Sequence, residues 1–152
     1  MQLTVYTDYS LRVLIYLGLH RENIATIADI AKKYQISRNH IVKIVHHLAS
    51  LGFVHTIRGR NGGMSLAREP ESINLADVVL KTEPNFQLVE CFRREGDCCI
   101  EEACRFRGAL NRALQSFFTV LGEYTLADLI EDKSELLQFL NYVNIPINTL
   151  IQ

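Results

Sequence analysis

Between Asp8 and Gly52 the apolar residues recur at helical spacing in three separate stripes, and directly after Gly52 that period is lost. The first stripe, in "DYSLRVLIYLGLH", runs through Leu11, Leu14, Ile15 and Leu19, with Gly18 as a small gap. The second, in "ATIADIAKKYQ", uses Ile27, Ile30 and Ala31 behind Thr26, a suitable N-cap. The third, in "SRNHIVKIVHHLASLGF", uses Ile41, Ile44, Val45 and Leu48 behind Ser37 and stops at Gly52. "FVHTIR" and "MSLAR" then form two β-compatible runs around "GRNGG", whose glycines permit a tight hairpin. Helix, helix, turn, helix and hairpin is the order of a winged helix-turn-helix, so a mainly α fold with a small β-hairpin wing is expected. "NLADVVLKTE" adds a further helix, and "PNFQLVE" an extended passage.

The charge divides where the fold does. Residues 1–68 hold nine basic residues against three acids, a net +6, together with all five histidines. The remainder holds seven basic residues against fourteen acids, a net −7, which leaves −1 for the chain. Only the amino-terminal half is therefore expected to meet a polyanion.

The second helix of a helix-turn-helix places its first residues against base edges in the major groove. Here these are Ser37, Arg38, Asn39 and His40. Arginine pairs with guanine through two hydrogen bonds, asparagine with adenine, and serine with either, while Lys43 is placed for phosphate. Arg58 and Arg60 flank the hairpin tip, and Arg12 and Asn61 complete the expected contacts to a double-stranded operator. Singly, Arg38 or Lys43 is no more than a solvated helix face. In combination with the turn residues they point to one fold.

All four cysteines fall within "VECFRREGDCCIEEACRFR", residues 89–107. The opening segment offers no secretory leader and no apolar run approaches a membrane span, so a cytoplasmic protein with reduced thiols is expected. Thiolates suit zinc, copper(I) and iron-sulfur clusters. Cys91 and Cys98 are separated by six residues and Cys98 and Cys104 by five, a poor fit to short zinc knuckles. The adjacent Cys98 and Cys99 do not easily share one centre. Three ligands on a loop, with a fourth elsewhere, is one reading, and ordinary free thiols is another. A nucleophilic enzyme cysteine lacks a triad partner or cofactor loop, so no enzyme is expected.

Beyond Cys104 the helical period returns and runs long, through Phe106, Leu110, Ala113, Phe117, Val120 and Leu121. A winged domain of this size has little surface to cover such a stripe. The same face of a second chain covers it, which predicts a homodimer joined through residues 102–121. The expected divisions are a winged domain at 1–82, a cysteine loop at 83–101, a dimerisation and C-terminal helical region at 102–143, and a loosely held tail at 144–152.

These residues together resemble the dimeric iron-sulfur winged-helix transcriptional repressors. The resemblance spans nearly the whole chain: "MQLTVYTDYSLRVLIYL", "SRNHIVKIV", "IRGRNGGMSLA", "LADVV", the cysteine loop and "QSFFTVLGEYTLADL". "SRNHIVKI" and "YTLADL" are most similar to the nitric-oxide-sensitive branch. The resemblance implies Cys91, Cys98 and Cys104 as ligands, with Cys99 as an extra thiol. It also implies Asp8 of the partner subunit as fourth ligand and a [4Fe-4S] cluster. The cluster-homeostasis branch carries a two-iron cluster and a histidine three residues after its third cysteine, and here that position is Arg107. Without the resemblance, Asp8 reads as an acid favoured by the dipole at a helix start.

The expected function is thus a homodimeric repressor that senses nitric oxide at its cluster and then releases operator DNA. A cluster-homeostasis regulator or a thiol-redox regulator of the same fold is the alternative, and a metal-dependent enzyme a more distant one.

Overall fold

Four capped helix starts fix the local structure of the amino-terminal half. The computed structural model describes residues 2–60, 62–92, 98–100 and 103–142. Helix α1 (Val5–Leu19) begins where the Thr4 side chain accepts the Thr7 backbone N–H. Helix α2 (Ile27–Tyr34) begins with a capping box: the Thr26 hydroxyl accepts the Asp29 N–H and the Asp29 carboxylate accepts the Thr26 N–H. Gln35, in the left-handed region at φ 55°, turns the chain into α3 (Arg38–Ser50), whose cap Ser37 accepts the His40 N–H at 3.3 Å. Gly52, at φ 72°, ends α3.

The wing follows as β1 (Val54–Ile57) and β2 (Gly63–Leu66), antiparallel, with Val54 opposite Leu66 and Ile57 opposite Gly63. One residue adds a third edge: Ala25 and Met64 exchange backbone hydrogen bonds of 3.0 and 2.8 Å, tying the start of α2 to the wing. A short 3-10 turn at Pro70–Ser72 leads to α4 (Leu75–Thr82), capped by the Asn74 side chain on the N–H groups of Ala76 and Asp77. The expected extended passage ends in a second 3-10 turn at Glu90–Phe92. Then come α5 (Arg105–Gly122), α6 (Leu126–Leu129) and α7 (Lys133–Tyr142). The 144–152 tail lies outside the described residues.

The core gathers Val13, Leu14 and Leu17 of α1, Ile30 of α2, and Ile41, Ile44 and Leu48 of α3 with Phe53, Ile73 and Val78. All four apolar positions expected on α3 are buried. Helix α1 is buried more widely than its stripe implies: Thr7, Ser10 and Val13 are enclosed while Leu11 and Ile15 are half-buried. The reason is its central position, in contact with α3, α4, α6 and β2.

The chain leaves this core through α5 and returns. Leu126 is fully buried in the core cluster, and its N–H donates to Ile73 O at 2.8 Å while Leu75 N–H donates to Tyr124 O at 3.0 Å. Gly18 faces this return, because a side chain there would meet Ile130 Cδ1 at 2.9 Å. Helix α5 itself spans 18 residues, about 27 Å, without a break at Gly108. None of its residues is buried, and Phe106 and Val120 are 64% and 53% exposed.

Candidate nucleic-acid interface and cysteine centre

Ser37, Arg38, Asn39, His40 and Lys43 are all exposed at the start and along the outer face of α3. Four buried residues of one stripe point that face outward. The Ser37 hydroxyl spends its acceptor on the helix cap. On the wing, Arg58 and Arg60 are exposed around Gly59, whose φ of 116° suits the tight tip. Asn61 lies outside the described residues.

Arg12 has a different setting. It stands on α1, its Nη2 2.8 Å from Asp8 Oδ2, with the guanidinium 5.6 Å from the Tyr9 ring centre and 6.0 Å from that of Tyr34. Burial pushes the Tyr34 phenol up to about 12, against the pull of the Arg12 charge. Asp8 occupies the first turn of α1, as the dipole favours, but its direct partner is Arg12.

Helix α1 meets α3 through two aromatic contacts that the apolar period did not mark. Tyr6 lies on His47 with ring centres 5.7 Å apart, and Tyr9 on His40 at 6.3 Å. Their spacing was a usable signal, since tyrosines three apart on one helix face histidines seven apart on another. Between these side chains is a small apolar cavity of about 200 Å³ lined by Val5, Tyr6, Tyr9, His40, Lys43 and Ile44.

The cysteines are free thiols. Cys91 is half-buried in the 3-10 turn, Cys98 and Cys99 are exposed, and Cys104 is half-buried at the N-cap of α5. Among the described residues no three His, Cys, Asp or Glu side chains gather closely enough to hold a metal ion. The donor chemistry nonetheless suits an iron-sulfur centre, being soft and thiolate-rich. The passage leading to this loop is fastened to α1: Glu83 Oε1 accepts the Thr4 N–H at 2.6 Å and the Thr4 hydroxyl at 3.1 Å. Phe86 then packs edge-on against Phe118 of α5 at 4.7 Å. Glu83 was not anticipated, and nothing in the local pattern distinguishes it from a solvated acid.

Residues 3–132 match the family model Rrf2, described as an iron-dependent transcriptional regulator. The chain is 50% identical over 144 residues to the HTH-type transcriptional regulator NsrR of Shouchella clausii, covering 91% of this chain and 97% of that protein. It is 51% identical over 138 residues to the NsrR of Geobacillus kaustophilus, covering 90% and 94%. Among solved structures, T. potens IscR superposes with a TM-score of 0.69 at 23% identity over 90% of each chain, a likeness of fold. No described helix is long and apolar enough to cross a membrane. With a winged helix-turn-helix, a basic reading face and a family match over most of its length, the chain belongs to the Rrf2 family of iron-dependent transcriptional regulators.

Proposed function

We propose that the protein is a cytoplasmic homodimeric repressor that binds a roughly palindromic operator and releases it in response to nitric oxide. The observation that carries this reading is the division of the chain. Exposed arginine, asparagine, histidine and lysine side chains suited to bases and phosphates stand on α3 and the wing in the basic half, and every thiol lies together in the acidic half. The relatives named NsrR support the same assignment.

In this reading Cys91, Cys98 and Cys104 of one subunit and Asp8 of the partner subunit hold a [4Fe-4S] cluster. When bound, the cluster would supply iron able to take up nitric oxide. A carboxylate would be the hard donor in a thiolate set, so Asp8 would hold the group least firmly. Arg12, one turn away, is the partner of the Asp8 carboxylate when it is not a ligand. Tyr6 and Tyr9 connect α1 to α3, so a shift of α1 moves the reading helix. Both half-sites must be met together, and a small change of separation or tilt therefore costs much of the affinity. That no residue of α5 is buried supports dimerisation through residues 102–121; in this reading the winged domain is 1–82, the cysteine loop 83–101 and the helical region 102–143.

The test is an anaerobic nitric oxide titration of purified protein by visible absorption and Mössbauer spectroscopy, with operator binding followed in the same samples. A four-iron signal that bleaches as DNA is released is expected. A two-iron signal favours the cluster-homeostasis alternative, against which Arg107 stands. Iron-free protein that binds DNA and ignores nitric oxide favours a thiol regulator.

A further inference from the structure

Helix α3 carries one large apolar residue that the core does not use. Ile41, Ile44, Val45 and Leu48 are buried, whereas Val42 is 50% exposed. At 100° per residue Val42 lies on the flank between the buried stripe and the outward face of Asn39, Lys43 and His46, one turn after Arg38. It faces the wing. Arg38, Val42, Val45, Thr56, Ile57 and Met64 line one groove between helix and hairpin. On the opposite wall Ile57, the last residue of β1, is 41% exposed and is followed directly by the exposed Arg58. An apolar strip thus runs between two arginines on the face that meets DNA.

A single exposed valine on a helix needs no explanation in general. This one lies in the reading helix, continuous with Arg38, and is met across a groove by a second exposed branched side chain. A solvated flank gains helix propensity from lysine or glutamate, while valine loses some, so local structure does not call for it here. What valine offers is a pair of methyl groups held nearly fixed by a stiff χ1. In the major groove the apolar feature of a base edge is the C5 methyl group of thymine.

We propose that Val42 is a specificity residue that contacts the methyl group of a thymine in each half-site, beside the base pair met by Arg38. Ile57 closes the groove from the wing side and excludes water from that contact. The assignment rests on the DNA-binding reading above, which names Arg38 but gives Val42 no role.

The experiment uses the cluster-loaded dimer under anaerobic conditions. Preferred operators are first selected from a random duplex pool, and each thymine of the half-site is then replaced in turn by deoxyuridine, which lacks only the methyl group. For the unchanged protein, one position per half-site is expected to lose about fourfold in affinity, the effect of one buried methyl group. Val42→Ala is expected to bind the thymine operator about fourfold more weakly per half-site and to be indifferent to deoxyuridine at that position. Val42 is on the surface, so the variant folds, and circular dichroism checks this. If every thymine is replaceable without loss, or Val42→Ala keeps the full sensitivity of the unchanged protein, Val42 does not read thymine. In that case an operator that still depends on Arg38 leaves the DNA-binding reading standing. Selection of no operator by the unchanged protein overturns both.

Discussion

Asp8 and Arg12 stand one turn apart on α1 and are joined twice, Nη2 to Oδ2 at 2.8 Å and Nε to Oδ1 at 3.2 Å. The carboxylate proposed as a metal ligand for the other subunit and the guanidinium proposed to meet DNA are therefore each other's partner within one chain. Their side chains are 47% and 42% exposed, so the pair contributes at most about 1 kcal/mol and yields readily to a metal or a phosphate. Asp8→Ala is expected to change the unfolding free energy by less than about 1 kcal/mol while altering the visible spectrum of the loaded protein. For Arg12→Ala, the slope of log affinity against log salt is expected to fall by about one per subunit if the guanidinium reaches a phosphate. An unchanged slope would leave Arg12 as the partner of Asp8 alone.

The exposed face of α5 leads to a second expectation. Phe106 and Val120 lie at the two ends of its stripe and are both more than half exposed, so charging them leaves the winged core intact. Phe106→Glu combined with Val120→Glu is expected to shift the protein from dimer to monomer in sedimentation equilibrium. The far-ultraviolet helical signal is expected to be retained. Operator binding is expected to weaken far more than binding to a single half-site, because the two sites are no longer linked. A double variant that sediments as the unchanged dimer would move the interface elsewhere.

Much of this fold is legible in local sequence because its local and tertiary demands agree. On α3 the four apolar positions of one stripe are the four buried residues, and Thr26 and Ser37 cap the helices they precede. On α1 a single stripe underestimates burial, since contacts with α3, α4, α6 and β2 enclose more of the helix than one 3.6-residue stripe marks, leaving Val5 exposed and the Asp8 and Arg12 side chains partly so. The entry of Leu126 into the core was hidden for another reason. It depends on α5 leaving and the chain returning to pair Asn74 with Thr125, a contact no local pattern encodes. At the candidate interface, Arg38, Asn39, Lys43 and the wing arginines were visible as polar and charged side chains placed by the expected fold. Val42 was not, because an apolar residue in a helix reads as core, and Tyr6 and Tyr9 were marked only by their spacing against His47 and His40. The cysteine ligands remain a matter of donor chemistry and resemblance, since their spacing alone admits several centres.

The capping box of α2 makes stability depend on acid in a defined direction. Hydrogen bonds from the Thr26 hydroxyl and backbone N–H hold the Asp29 carboxyl below its ordinary value. A depressed folded-state value means that the contribution is fully present above the unfolded carboxylate range and is lost as pH falls through the lower folded value. Thr26→Ala is expected to cost about 1 kcal/mol at neutral pH. The deficit is expected to shrink below about pH 4, the range where a free aspartate protonates. Urea unfolding at pH 7 and in the acid range measures both quantities. A deficit independent of pH would mean that the Asp29 carboxylate does not contribute through this cap.

Gly63 stands where the wing approaches the start of α2. A Cβ there would run into the backbone carbonyl of Ala25 as well as the Ile24 side chain, and a carbonyl held in the Ala25–Met64 hydrogen-bond pair has no room to retreat. Gly63→Ala must therefore separate β2 from Ala25, at a cost of about 1–3 kcal/mol, typical of overpacking. Operator affinity is expected to fall as well, because the displaced wing carries Arg58 and Arg60. Gly108 supplies the contrast. It lies within α5 where a side-chain methyl would meet nothing within 4 Å, so Gly108→Ala is expected to stabilise by about 0.5–1 kcal/mol through helix propensity. Urea denaturation separates the two substitutions by sign. Stabilisation at position 63 would show that the junction between α2 and the wing is looser than its paired hydrogen bonds require.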